Sequence, residues 1–146
     1  MKKLEDFNKV FFSTDFKFIT NIFEYNDCVI AIYNYQNDFY MLKTIISDEL
    51  HNINKKSIYI VLKLNNELLK DYLLQKISEK NLLQICEKII LIKALFNNKR
   101  NKFEFYKINF EEFMFLYGDD YTELDLLYCH KQYSENEISE LLKGYI

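Results

Sequence analysis

Residues 28–47 read CVIAIYNYQ, then Asn37-Asp38, then FYMLKTIIS: two runs rich in β-branched and aromatic side chains, parted by a short polar pair. Such side chains fit a pleated, half-buried surface, and a polar pair between two such runs predicts a β-hairpin, although Asn-Asp is a weaker turn signal than Asn-Gly. Working outward, the whole stretch from Phe16 to Ser47 keeps a period near two and reads as β structure. After a polar loop that contains His51, residues Ile58 to Leu64 predict a further strand. Its Ile58, Ile60, Leu62 and Leu64 share one face, with Tyr59, Val61 and Lys63 on the other.

On the N-terminal side, Leu4, Phe7, Val10 and Phe11 recur at helical spacing within residues 4–12, and Ser13 to Asp15 end that helix. From Asn66 the period lengthens again. Leu69, Tyr72, Leu73 and Ile77 form one helical stripe, and a second helix is expected over residues 81–97, carrying Leu82, Ile85, Cys86, Ile89, Ile92 and Phe96. Residues 102–109 alternate and predict a strand. Asn109 and Glu112 then match a capping box, with Gly118 placed to cap a short helix from Phe110 to Tyr117, a strand being the alternative. Residues 122–130 fit helix or strand. Ser134 and Glu137 form a second capping box ahead of Ile138, Leu141 and Leu142, so a docked helix should close the chain. Together these readings predict one α+β domain over residues 1–146, an antiparallel sheet from the N-terminal half with helices from the middle and C-terminus on one face.

Composition narrows the chemistry. The chain has no proline and only two glycines, Gly118 and Gly144. Cradles for phosphates and dinucleotides need glycine where backbone approaches the ligand at positive φ, so those sites are nearly excluded. The 12 Tyr and 13 Phe accompany abundant Lys, Asn and Ile and a single arginine, Arg100, a composition that an AT-rich coding sequence also produces. Aromatic enrichment alone therefore does not mark a binding surface. Lys2 and Lys3 are followed at once by Glu5 and Asp6, with no apolar secretion segment, and the longest apolar run, Cys28 to Tyr33, is too short to cross a bilayer. Three widely spaced cysteines, Cys28, Cys86 and Cys129, suit a reducing compartment, so a soluble cytoplasmic protein without a membrane partner is expected.

Residue patterns for catalysis and metals are sparse. No cysteine or histidine pair has the spacing of a zinc site, and no Gly-x-Ser-x-Gly elbow can be formed. No cofactor, metal ligand set or catalytic residue is assigned on this basis. Cys129 beside His130 is the one nucleophile-and-base juxtaposition in the sequence, and the acid pairs are the other enzymatic option. A basic run from Lys93 to Lys102, near Phe96, Phe103 and Phe105, suits a soluble loop as well as a nucleic-acid patch.

Charge is unevenly distributed. Residues 1–102 hold 16 basic and 12 acidic side chains, for +4, whereas residues 103–146 hold 3 basic and 10 acidic ones, for −7. That balance disfavours nucleic acid as a ligand of the C-terminal part. Within residues 111–128 (EEFMFLYGDDYTELDLLY), acids interleave with large rings. Carboxylates steer a cationic partner while rings supply buried anchor area. The expected partner surface comprises Glu111, Glu112, Asp119, Asp120, Tyr121, Glu123 and Asp125. The competing reading places Phe113, Phe115, Leu116, Tyr117 and the leucines in the core, with the acids as their solvated side. The functional expectation is a small protein-binding inhibitor of the immunity, antitoxin or anti-defence type. It would occlude a basic protein such as a nuclease toxin or host-defence effector. The alternatives are an enzyme of unfamiliar type and a subunit of a larger assembly.

Overall fold

A computed structural model of the chain describes residues 1–25, 28–47, 56–96, 100–123 and 128–145. In chain order the elements are β1 (Lys2–Lys3), α1 (Glu5–Phe11), β2 (Lys17–Tyr25), β3 (Cys28–Tyr35), β4 (Asp38–Ser47), β5 (Lys56–Leu64), α2 (Asn66–Leu73), α3 (Glu79–Ile85), β6 (Glu87–Phe96), β7 (Arg100–Ile108), α4 (Phe110–Glu123) and α5 (Glu135–Leu141). The seven strands form one sheet in the order β1-β7-β6-β5-β4-β3-β2, and every pairing is antiparallel. From β2 to β7 the strands pair in chain order, so each hairpin or helical excursion returns to the edge just made. The fold is α+β, as the sequence predicts.

The deciding hairpin forms, one residue earlier than read. Tyr35 pairs with Asp38, which leaves Gln36-Asn37 as the loop rather than Asn37-Asp38. Gln36 takes φ 56°, an uncommon conformation for a residue with a β-carbon. Asn34 holds the turn in place: its Nδ2 donates to the carbonyls of Gln36 at 3.3 Å and Asp38 at 3.1 Å. A polar side chain on the flanking strand thus ties down two carbonyls of a turn that has no glycine.

The expected helix over residues 81–97 is corrected. Only Glu79–Ile85 is helical, and Cys86 turns extended to start β6. The reason is burial on two sides. Ile90 packs among Ile60, Leu62 and the helices on one face, while Ile89 and Leu91 pack with Val61 and Phe105 on the other. A strand buried on both faces shows an unbroken apolar run, which periodicity alone does not separate from a helix. The β-branched residues Ile89, Ile90 and Ile92 favour the strand.

Helices α2 to α5 cover one face of the sheet, around Leu69, Tyr72, Leu73, Leu82, Phe113, Ile138 and Leu142. The helices from the middle and C-terminus thus share one face, and the N-terminal α1 lies on the other. Its Phe7 and Phe11 lie on the opposite face, 5.1 and 5.2 Å from the Phe105 ring. That small helix cannot cover the face alone, and Phe16, Tyr33 and Tyr40 extend the same aromatic cluster.

The helix termini follow the capping signals. Asn109 Oδ1 accepts from the Glu112 amide at 2.8 Å, and Ser134 with Glu137 completes a reciprocal capping box. Gly118 is not a cap. Helix α4 runs through it to Glu123, because Phe113, Tyr117 and Tyr121 continue an inward stripe whose burial outweighs the roughly 1 kcal/mol cost of a mid-helix glycine. At α2 the helix stops at Leu73, short of Ile77, and Gln75 takes φ 61°. His51 and the run 97–99 lie outside the described residues.

Replacing fully buried Ile90 in this two-sided strand by Ala is expected to cost about 2–5 kcal/mol in urea unfolding. Exposed Lys107→Ala should stay within about 0.5 kcal/mol. An Ile90→Ala loss below that of the surface control would contradict the packing described.

Candidate functional site

Helix α4 separates the acidic, aromatic stretch into two faces. At 3.6 residues per turn, Phe113, Tyr117 and Tyr121 fall on the inward stripe. Phe113 is fully buried and Tyr121 is 3% exposed. The outward rows are Glu111, Phe115, Asp119 and Glu112, Leu116, Asp120. Phe115 is 89% exposed, the highest among the described large apolar side chains, with Ile85 next at 60%, and Leu116 is 46% exposed. Acids occupy both ends of this face, one to two turns either side of the phenyl ring.

The two ends differ in origin. Glu111 and Glu112 lie in the first turn, where free amides and the helix dipole favour carboxylates. Glu112 Oε2 also accepts from the Met1 ammonium at 2.9 Å, and this hydrogen bond holds its carboxyl below the usual range. Asp119 and Asp120 are exposed near the opposite end, where the dipole disfavours a negative charge.

Of the sequence-predicted site residues, Glu111, Asp119 and Asp120 share the exposed face, with Glu112 beside them. Glu123 belongs to the last turn of α4, and Asp125 lies outside the described residues. Tyr121 is corrected from surface anchor to core residue. Its ring meets Phe113 edge-on at 5.4 Å, and its hydroxyl donates to Glu79 Oε1 at 2.9 Å. Sequence reasoning had instead left Phe115 and Leu116 to the core alternative. The signal that could have placed them was the i, i+4 relation of Phe115 to both Glu111 and Asp119.

Beneath α4 lies a second polar cluster, fully enclosed. Lys43 of β4 reaches into the helical layer, where its Nζ sits 2.6 Å from Glu79 Oε1, both side chains being at most 4% exposed. The same Nζ lies 4.3 Å from the centre of the Tyr121 ring, a cation–π contact in a dry setting. Near this cluster the Tyr72 hydroxyl is buried with no hydrogen-bond partner among the described residues. Burial, and then the charge of Glu79, push its ionisation upward.

Cys129 and His130 diverge. Cys129 is 2% exposed and burial pushes its thiol up to about 11, whereas exposed His130 lays its ring edge-on to Phe23 at 5.2 Å. Cys86 is likewise pushed up to about 11 by burial. Among the described residues, no group of three or more His, Cys, Asp or Glu converges on a metal position. No described helix is long and apolar enough to cross a membrane.

Two clefts flank α1, of about 450 and 470 Å³. The first is lined by Lys3 and Lys102 but also Glu5 and Glu104, and the second by Lys2, Lys3 and Lys63 with Asp6 and Glu87. Neither presents a field of one sign. The α4 face carries Glu111, Asp119 and Asp120, and Glu112 paired with the Met1 ammonium, around a projecting ring.

Two outcomes test these placements. Glu79→Ala strands the Lys43 ammonium and is expected to cost about 3–5 kcal/mol, while joint replacement of Lys43 by Met and Glu79 by Leu recovers most of that loss; a loss under 1 kcal/mol would show that the pair is not buried. At pH 8 a thiol of pKa near 11 is roughly one part in a thousand thiolate. An aromatic disulfide reagent should therefore titrate the half-buried Cys28 in the native protein, and Cys86 and Cys129 only after unfolding.

No family model, curated protein or solved structure matches this chain. The chemistry of the α4 face is accordingly the ground on which a function is proposed.

Proposed function

We propose that this protein is a binding inhibitor that occludes a basic partner with the outward face of α4. The observation that carries the reading is Phe115, 89% exposed between Glu111 and Asp119. The exposed phenyl ring, with Leu116 beside it, offers anchor area that a partner could bury, and the surrounding carboxylates favour a cationic partner and speed encounter. Proteins that handle nucleic acid carry basic grooves shaped for phosphates. A nuclease toxin or a host-defence effector is the partner class that best fits an acidic, aromatic plug. Inhibition by occlusion asks for complementarity and no reacting group, and the acids of α4 are strung along the helix accordingly.

The test is capture by the tagged protein from cells of its own source at low and at high salt. A stoichiometric basic partner is expected at low salt and should be released at high salt. Reversing charge at Asp119 and Asp120, both to Lys, should slow association about tenfold or more at low ionic strength. Capture that neither salt nor charge reversal alters would overturn the proposal.

A further inference from the structure

We propose that the stretch of the β7 edge from Lys102 to Glu104 binds an extended peptide segment of a partner protein, which adds a strand in line with β1 and seats a bulky apolar side chain against Phe103 and Phe12. This position is separate from the α4 face. Register shows where the edge is open. Lys2 and Lys3 lie opposite Lys107 and Tyr106, and the Leu4 amide donates to the Phe105 carbonyl at 2.8 Å. The chain then leaves the ladder, because Glu5 begins α1. In an antiparallel ladder the residues that bond to a given neighbour recur at every second position. Phe103, like Phe105, therefore turns its amide and carbonyl away from β6, and among the described residues no strand lies beyond it. An unpaired donor and acceptor on a strand edge are a template for another strand.

Side chains specify what that strand carries. Along the edge runs the cleft of about 450 Å³, bounded by Glu5 and Asn8 of α1, by Phe12 at its end, and by Lys102 to Phe105. Phe12 is 54% exposed, and its ring meets that of Phe103 edge-on at 4.8 Å. A residue opposite Phe103 points to the same face of the sheet, onto these two rings, and a β-branched side chain there makes a favourable cross-strand pair. Its two neighbours point to the other face, where Lys102 and Glu104 already form an ion pair at 3.1 Å, so polar residues suit those positions. The occupant is thus an extended segment with one apolar residue between polar ones. A helix cannot take its place, since its mid-chain amides and carbonyls bond within the helix. Nor does a second copy fit. Two β7 edges paired about Phe103 would set Asn101 of one copy opposite Phe105 of the other, where Leu4 already stands. The β2 edge, which could also be offered, is broken by irregularities.

The probe is a capped pentapeptide, Thr-Thr-Ile-Thr-Thr, added at millimolar concentration to the intact protein and followed by backbone amide shifts and amide hydrogen exchange. In the free protein the Phe103 amide should exchange about tenfold or more faster than those of Lys102 and Glu104, which face β6. The peptide is expected to slow Phe103 exchange about threefold or more and to shift the amides of Phe12 and of Lys102 to Phe105. Phe12→Ala should weaken binding about fivefold or more, whereas Lys63→Ala, in the cleft on the other side of α1, should change it less than twofold. Methylating the isoleucine nitrogen removes the donor to the Phe103 carbonyl and should abolish binding. A Phe103 amide already protected in the free monomer would show that the edge is closed and overturn the inference. An N-methylated peptide that binds as well as its parent, an absence of binding, or shifts on other elements would overturn it too. Protection of Phe103 that grows with protein concentration would assign the edge to a second copy, again against the inference. None of these outcomes bears on capture by the α4 face, so the two readings fail separately.

Discussion

A lysine ammonium enclosed at the centre of the molecule constrains everything packed above it. Lys43 points from β4 into the helical layer, and the hydration that it loses there must be replaced by fixed groups. Glu79, the first residue of α3, supplies the counter-charge, and Tyr121, near the end of α4, offers its ring face to the ammonium and donates its hydroxyl to Glu79. These contacts tie two helices to one strand at a single point. Apolar packing tolerates small slides of a helix over a sheet, whereas a buried ion pair does not, since a displaced partner leaves a charge uncompensated. The rotation of α4 about its axis follows from this contact: with Tyr121 and Phe113 directed inward, Phe115, Asp119 and Asp120 are directed outward.

The sheet makes such a buried contact possible. Strands β4, β5 and β6 are covered on both faces, by the α2 to α5 layer on one side and by α1 with its aromatic cluster on the other. Strand β2 is an exposed edge, and it is interrupted by irregularities between Phe18 and Thr20 and between Asn21 and Phe23. Such bulges twist an edge away from pairing with another chain. On the β7 edge, the short β1 pairs with Tyr106 and Lys107. The β2 edge is thus blunted and the β7 edge covered in part, while the helix that carries the acidic ring face stays open.

Much of this architecture was legible in the residues. Alternation along Ile58 to Leu64 identified both faces of β5 correctly, and the capping boxes at Asn109 and Ser134 located two helix starts. Strand β6 was not legible, because Ile89 to Ile92 form a run compatible with either element until neighbours on both faces are known. Glycine misled at Gly118, where a helix already held by Phe113 and Tyr121 tolerates the missing side chain. Of the candidate surface, Glu111, Asp119 and Asp120 were readable from charge alone. The exchange of Tyr121 for Phe115 was not, since alternating rings and acids fit a helix in more than one rotation.

The amino-acid sequence by itself determined the α+β class, the β3–β4 hairpin, the concentration of negative charge after residue 102, and the near exclusion of glycine-built phosphate cradles. Those properties depend on local preference and on composition, which neighbours in space do not alter. Tertiary structure decided which face of α4 is open and which strand is buried twice. Both depend on groups distant in the chain: Lys43 and Glu79 orient Tyr121, and the layers on either side of β6 select strand over helix. Long-range burial carries the larger energies, so it settles what local pattern leaves degenerate.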